Sequence, residues 1–331
     1  MVFFIDHLKS HTIVSLPIPK KKFTGQTIIV TGSNSGLGLE AVREFVRLDA
    51  QKVILAVRNL EKGQAALQSI ITSTSCPDDI LEVWHLDLCS HTSVKEFARQ
   101  ANTLPRLDVL VLNAGIYVFD FEMMEGNEST ICVNVIHTFL LAILLLPKIR
   151  ETSVQYGTRG VLSFTGSFVH HLTKFPERRA GNVFEELRDE ERSDMRDRYN
   201  VSKLIGLLFV RELALALGEL EKRGQKGRVV ANVVNPGLVD TAITRHATGA
   251  TKHLMQGLMA LMARTTEEGA RTLVIGAEGG EETHGEYLDD GKVGKVSSWT
   301  TSLDGIATQK DIWMELSQEL EKIQPGIMGN L

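Results

Sequence analysis

Six short runs of aliphatic and β-branched residues alternate with longer helix-like segments, and this rhythm constrains the fold more than any other feature. The runs are Thr27–Thr31, Val53–Val57, Leu81–Leu86, Asp108–Leu112, Val161–Thr165 and Val229–Val234. They are rich in Val, Ile and Leu without strict polar alternation, as parallel strands covered on both faces require. Between them lie helical patterns at Leu39–Asp49, Glu61–Thr72, Ser93–Thr103, Asn127–Ile149 and Tyr199–Leu220. Strand, helix, strand in repetition predicts an α/β chain with a doubly wound parallel sheet and helices on both faces. A further run near Glu286–Leu288 is expected to close the sheet.

The chain has 331 residues, enough for one large domain or two small ones. No low-complexity linker, internal repeat or clean boundary divides it. Residues 1–24 read as an N-terminal extension and 25–331 as a single domain. A net charge of -5 and the absence of a basic stripe give no reason to expect nucleic-acid binding. Cys76, Cys89 and Cys132 follow no metal-ligand spacing, so no metal is expected. Sparse, odd cysteines suit a reducing compartment, and a cytoplasmic location is expected. The apolar run at Val2–Ile5 is broken by Asp6 and precedes its lysines, unlike a secretory leader. The run Val135–Ile149 contains His137, Pro147 and Lys148 and reads as a buried helix, with no membrane span expected.

Two motifs carry chemistry. Thr31-Gly32-Ser33-Asn34-Ser35-Gly36-Leu37-Gly38 follows the first strand and opens the first helix. Glycines there allow a tight turn and let backbone N–H groups and the helix dipole meet a pyrophosphate. Tyr199 and Lys203 stand four apart, so a phenol and an ammonium share one helix face. A free tyrosine has a pKa near ~10, and an adjacent cation should lower it toward working pH. Alone, the pair also fits a half-buried tyrosine beside a solvated lysine.

The ordered set resembles the short-chain dehydrogenase/reductase family, from about Gln26 to Gly291. Its spacing Gly-x-x-x-Gly-x-Gly, Asp87-Leu88, Asn113-Ala114-Gly115, Asn134, Gly166-Ser167, Tyr199, Lys203 and Asn235-Pro236-Gly237 followed by Val239 and Thr241 carry the resemblance. Singly, each has a plainer reading: Asn113 caps a strand, Asn134 is a core amide, Ser167 and Pro236-Gly237 are turn residues. Together the resemblance implies a Rossmann-like sheet in the order 3-2-1-4-5-6-7. It also implies a catalytic set of Asn134, Ser167, Tyr199 and Lys203. Ser167 would hold the substrate oxygen, Tyr199 would exchange its proton, and Lys203 would lower the tyrosine pKa and hold the nicotinamide ribose. Asn134 would support a water-linked proton path through Lys203. Thr31 to Gly38, Asp87, Leu88, Asn113 to Gly115, Pro236, Gly237, Val239 and Thr241 would bind the cofactor.

Cofactor choice rests on position 58. An acid about twenty residues past the Gly-rich turn would bind a ribose hydroxyl, but Arg58 stands there. Its fork suits a phosphate, so NADP(H) is expected. Residues 170–198, a charged insertion between Ser167 and Tyr199, are expected to form a solvated helix or mobile flap and resemble the retinol-dehydrogenase-like branch. The wording around Phe23–Thr27 and Ala56–Gly63 resembles fungal secondary-metabolite reductases. A Met/Leu stripe within 240–265 is expected to cap an apolar, cyclic or polyketide-like ketone or alcohol. The helices at 127–149 and 199–220 carry more apolar surface than one sheet face can cover, and the resemblance implies a homodimer seam there; the alternative is a monomer whose insertion and C-terminal tail cover these faces. The other class left open is a nucleotide-binding sensor or non-redox scaffold on the same fold.

Overall fold

A computed structural model describes residues 16–239 and 263–331. Thr241 and nearly all of the expected substrate cap lie outside the described residues.

The strands are β1 (Thr27–Thr31), β2 (Lys52–Val57), β3 (Leu81–His85), β4 (Val109–Leu112), β5 (Gly160–Thr165), β6 (Val229–Asn235), β7 (Tyr287–Asp289) and β8 (Lys292–Val293). The sheet order is β3-β2-β1-β4-β5-β6-β7-β8. All pairings are parallel except the last, where β8 folds back on β7. The expected order 3-2-1-4-5-6-7 is therefore the observed one, with an unforeseen antiparallel edge.

The helices are α1 (Gly36–Arg47), α2 (Leu60–Thr74), α3 (His91–Ala101), α4 (Ser129–Tyr156), α5 (Arg198–Lys222), α6 (Thr266–Ala277) and α7 (Leu303–Ile323). They sort onto two faces. Apolar residues of α1, α2 and α6 pack with Ile28, Val30 and Val53, while those of α3, α4, α5 and α7 pack with Ile29, Ile54 and Leu110. Alternate residues of each strand thus enter opposite cores, which explains runs that are apolar throughout.

α4 is the central helix. Glu128 opens it by accepting hydrogen bonds from Thr130 N at 2.7 Å and Ile131 N at 3.2 Å. Its mean hydropathy reaches 2.2 over a window that is 94% buried inside the fold, so it is a core helix. Cys132–His137 form a π-helical turn. Pro147 has no N–H to give the carbonyl four residues back. Asn330 Nδ2 supplies that donor to Ile143 O at 3.1 Å, tying the C-terminus to the helix.

One expectation about a surface segment is corrected. The insertion is not a solvated flap. Its short helical turns bury Phe175, Val183, Phe184 and Leu187 in the core. Glu315 on α7 accepts from Val183 N at 2.7 Å, and Arg188 bonds Asn127 Oδ1 at 2.9 Å as well as Glu319. Arg198, buried at the insertion's end, lies 3.7 Å from Glu128 and 3.8 Å from Glu177. Four apolar anchors are hidden among the charges, and burial of each large one is worth about 1.5–3 kcal/mol.

The expected seam is partly covered within the chain. α7 lies on α5, with Phe209 and Trp313 rings 4.7 Å apart and Gln309 Nε2 bonded to Glu212 at 2.7 Å. Residues Val135–Ile143 of α4 are almost entirely buried within one chain. Part of the surface that suggested a partner is covered by the chain's own insertion and C-terminal helix, while Leu215 on α5 and Val154 and Tyr156 on α4 stay exposed.

Candidate active site

The site lies at the C-terminal ends of β1, β4, β5 and β6, where open α/β sheets place their ligands. The turn after β1 is packed backbone on backbone. A Cβ on Gly38 would stand 2.6 Å from Gly32 O and 2.7 Å from Asn113 Nδ2, so no side chain fits there. A Cβ on Gly32, at φ +68°, would stand 2.9 Å from Ala114 Cα. Thr31 Oγ1 accepts from Asn113 N at 3.0 Å and Ala114 N at 2.9 Å, while Asn113 Nδ2 donates to Thr31 O at 2.9 Å. Thr31 and Asn113 thus weld β1 to β4 beneath the turn.

Above that weld the residues fit a dinucleotide. Ser35 is the N-cap of α1, yet its side chain caps nothing and the first turn carries no acid. The N-terminal N–H groups and dipole of α1 are left for an anion, as a pyrophosphate requires. Asn34, Ser35 and Leu37 border this turn and remain partly or fully exposed. Ser33 differs: it is fully buried and donates to Val30 O at 2.8 Å, so it shapes the turn.

Arg58 follows β2 directly and is exposed, touching Cys89 Sγ at 3.9 Å, with no ion pair among the described residues. Asp87 accepts from Cys89 N at 2.9 Å, which fixes the loop after β3. Leu88 is buried, and its carbonyl accepts from His137 Nδ1 at 2.6 Å. His137 also meets His91, and burial holds both imidazoles below their ordinary pKa. Val239 is buried against the α6 position Gly269.

Asn134 sits in the π-helical turn of α4. Its Oδ1 accepts from Ile116 N at 2.8 Å and its Nδ2 donates to Ile116 O at 2.9 Å and Ser202 Oγ at 3.2 Å. The amide clamps both polar groups of one residue in the loop after β4. Gly115 is the gap beside it: a Cβ there would lie 3.1 Å from Asn134 Oδ1 and 3.9 Å from Lys203 Nζ. Lys203 Nζ donates to Thr165 O at 2.8 Å, two residues before Ser167. Asn134, Ser202, Lys203, Thr165 and Gly166 line a cavity of about 20 Å³, room for one water.

Ser167 is extended and half-buried, and its Oγ accepts from Val169 N at 3.3 Å. Its carbonyl accepts from His170 Nδ1 at 2.7 Å. Asn235 closes the far side: its Oδ1 accepts from Phe168 N and Gly237 N, both at 3.1 Å, and its Nδ2 donates to Asp289 at 2.9 Å. This places Pro236 and Gly237 beside the serine loop.

Tyr199 lies one turn before Lys203 on α5, with Lys203 Nζ 5.5 Å from its ring centre. Burial lowers the lysine pKa to about 8. Burial, with the neighbouring Tyr117, raises the phenol above its usual value. The expected lowering of the tyrosine by Lys203 is therefore not a property of the protein alone; desolvation, with Tyr117, outweighs it.

Sequence reasoning missed three residues here. His170 and Tyr117 belong to no motif quoted above, and Asn235 was quoted within a motif without a role of its own. The signal for Tyr117 was available: an aromatic residue two positions after Asn113-Ala114-Gly115 stands at a strand's C-terminal end.

The short chain dehydrogenase family profile matches residues 26–183. The chain is 41% identical over 328 residues to the short chain dehydrogenase/reductase dmxR8 of Cryptosporiopsis sp. (strain 8999), covering 98% of this chain and 99% of that one. It is 43% identical over 290 residues to the short chain dehydrogenase atnD of Emericella nidulans, covering 87% and 91%. Among solved structures, a Mycobacterium paratuberculosis protein superposes with TM-score 0.65 at 26% identity, covering 92% of this chain and 96% of that one. An Escherichia coli CFT073 short chain dehydrogenase complexed with NADPH superposes with TM-score 0.54 at 25% identity, covering 82% and 99%. With that similarity spanning nearly its whole length, the chain belongs to the short-chain dehydrogenase/reductase family of oxidoreductases.

Proposed function

We propose that the protein interconverts a ketone or aldehyde and an alcohol on an apolar small molecule of polyketide or terpenoid type, with NADP(H) as cofactor. The observation that carries this reading is that Asn134 Oδ1 and Lys203 Nζ both flank Gly115, next to the Ala114 that packs on Gly32 of the turn opening α1, with Tyr199 one turn before Lys203.

The nicotinamide would supply or accept the hydride. The chain's own residues do the rest. The α1 N-terminus and the Gly32–Gly38 turn would hold the pyrophosphate, and Arg58 would meet a ribose phosphate in bidentate fashion. Ser167 Oγ would hold the substrate oxygen. Tyr199, kept protonated by burial, is in the form that donates a proton to a forming alkoxide. Lys203 would hold the ribose and, in its cationic form, return a proton toward Tyr199. The cavity between Asn134 and Lys203 suits the water that would link them to solvent. NADPH in a superposable relative supports the cofactor choice by analogy. With α5 covered by α7, the active form is proposed to be a monomer.

The test is a panel of carbonyl compounds and alcohols with NADPH, NADH and their oxidised forms, followed at the reduced-nicotinamide absorbance. Tyr199→Phe should keep cofactor binding and lose turnover on the order of 10²-fold or more. A near-normal kcat in that variant would remove Tyr199 from the chemistry.

A further inference from the structure

Three rings form a continuous aromatic slab that begins at the reacting phenol. Tyr117 stacks on Tyr199, with centroids 4.5 Å apart and planes at 22°. Phe119 leans on Tyr117 at 4.8 Å and 38°. All three residues are half-buried, so part of each remains open to a ligand. The slab is held from below. Asn134 takes both polar groups of Ile116, which fixes the backbone one residue before Tyr117. Burial, and after it Asp197 at the start of α5, raise the Tyr117 phenol above its usual pKa. Asp197 is in turn fixed by Thr173 Oγ1 at 2.5 Å and Asn200 Nδ2 at 2.8 Å.

A substrate that brings its carbonyl to the Tyr199 hydroxyl must lie along the rings next to it. Flat conjugated molecules extend such a stack with few torsions to freeze, whereas a flexible chain loses rotor freedom on the same surface. We propose that Tyr117, backed by Phe119, is a specificity-determining wall of the substrate site that selects flat aromatic or conjugated ring ketones over flexible aliphatic ones. This rests on the oxidoreductase reading for the reaction, but not for the binding. It differs from a purely structural role for Tyr117, which would affect all ligands alike.

The experiment compares 2-tetralone with 2-decanone, two ten-carbon ketones, on wild type, Tyr117→Ala, Tyr117→Phe and Phe119→Ala. Binding is titrated calorimetrically on full-length protein with saturating oxidised cofactor, where no reduction occurs. Turnover is measured separately with reduced cofactor. Wild type should bind 2-tetralone more tightly than 2-decanone. Tyr117→Ala should weaken 2-tetralone on the order of tenfold, about the effect of one lost stacking contact. It should leave 2-decanone within about twofold, and Tyr117→Phe should keep the preference. Phe119→Ala should weaken 2-tetralone in the same direction, by less. In turnover the loss should fall on KM more than on kcat. No preference in wild type, an equal loss for both ketones, or no change in Tyr117→Ala overturns the wall. Selective binding without turnover of any ketone would support the wall and overturn the redox reading.

Discussion

Replacing Asn134 by alanine separates two roles that the family resemblance merges. If the amide only supports a proton path, its loss should slow turnover and leave stability alone. The structure predicts more. Three groups lose a partner: Ile116 N, Ile116 O and Ser202 Oγ. An unsatisfied buried polar group costs about 1–3 kcal/mol. Ile116 is only half-buried, so water recovers part of that, and the sum comes to about 2–4 kcal/mol. Against a total stability of about 5–15 kcal/mol this is large. Urea unfolding should show a lowered midpoint with an unchanged slope. Asn134→Asp should be nearly as damaging. It keeps an acceptor for Ile116 N but sets a carboxylate oxygen against Ile116 O. Because Ile116 leads into Tyr117, Asn134→Ala should also loosen binding of flat ketones. An unchanged midpoint in both variants, with turnover reduced, would refute the clamp and leave only the proton path.

Four further outcomes are expected. Arg58→Asp should weaken NADPH binding by several-fold while leaving NADH unchanged or improved, read by fluorescence titration; equal losses would show that Arg58 is not the selector. The Lys203 pKa, lowered to about 8 by burial, places its cation below that pH and its neutral form above. Ketone-reduction kcat/KM should accordingly be level below pH 8 and decline above it, and a rate climbing steadily to pH 10 would contradict the role given to the cation. Phe184→Ala, which removes a ring only 1% exposed in the insertion, should cost about 3–5 kcal/mol in urea unfolding; a cost below about 1 kcal/mol would restore the mobile flap. Sedimentation at micromolar concentration should give one species of 36.6 kDa, and a stable dimer would show that some face other than the covered α4–α5 surface pairs.

Much of the fold was legible because its signals are local. A parallel strand buried on both faces writes an unbroken Val/Ile/Leu run, so β1 was located to the residue and β2 to β6 to within one. The Gly-rich turn was legible because only glycine fits where Gly38 meets Gly32 O. The spacing of Tyr199 and Lys203 fixed their common face through the period of the helix. The C-terminal helices α6 and α7 and the antiparallel β8 were not read, because no chemical motif marks them.

What the sequence alone determined was therefore the sheet, its order by resemblance, and the candidate groups for the chemistry. Tertiary structure decided everything set by distances between segments far apart in the chain. The insertion looked solvated because charges dominate its composition, yet Phe175 and Phe184 are buried and Glu315, more than a hundred residues on, receives its backbone. The apolar faces of α4 and α5 looked available to a partner until Trp313 and Asn330 were seen to cover them. Tyr199 looked acidified because Lys203 is four residues away, yet burial and the stacked Tyr117 raise it. Periodicity records which side of an element faces inward. It does not record what arrives to cover that side, and the desolvation that sets a pKa is the sum of everything that does.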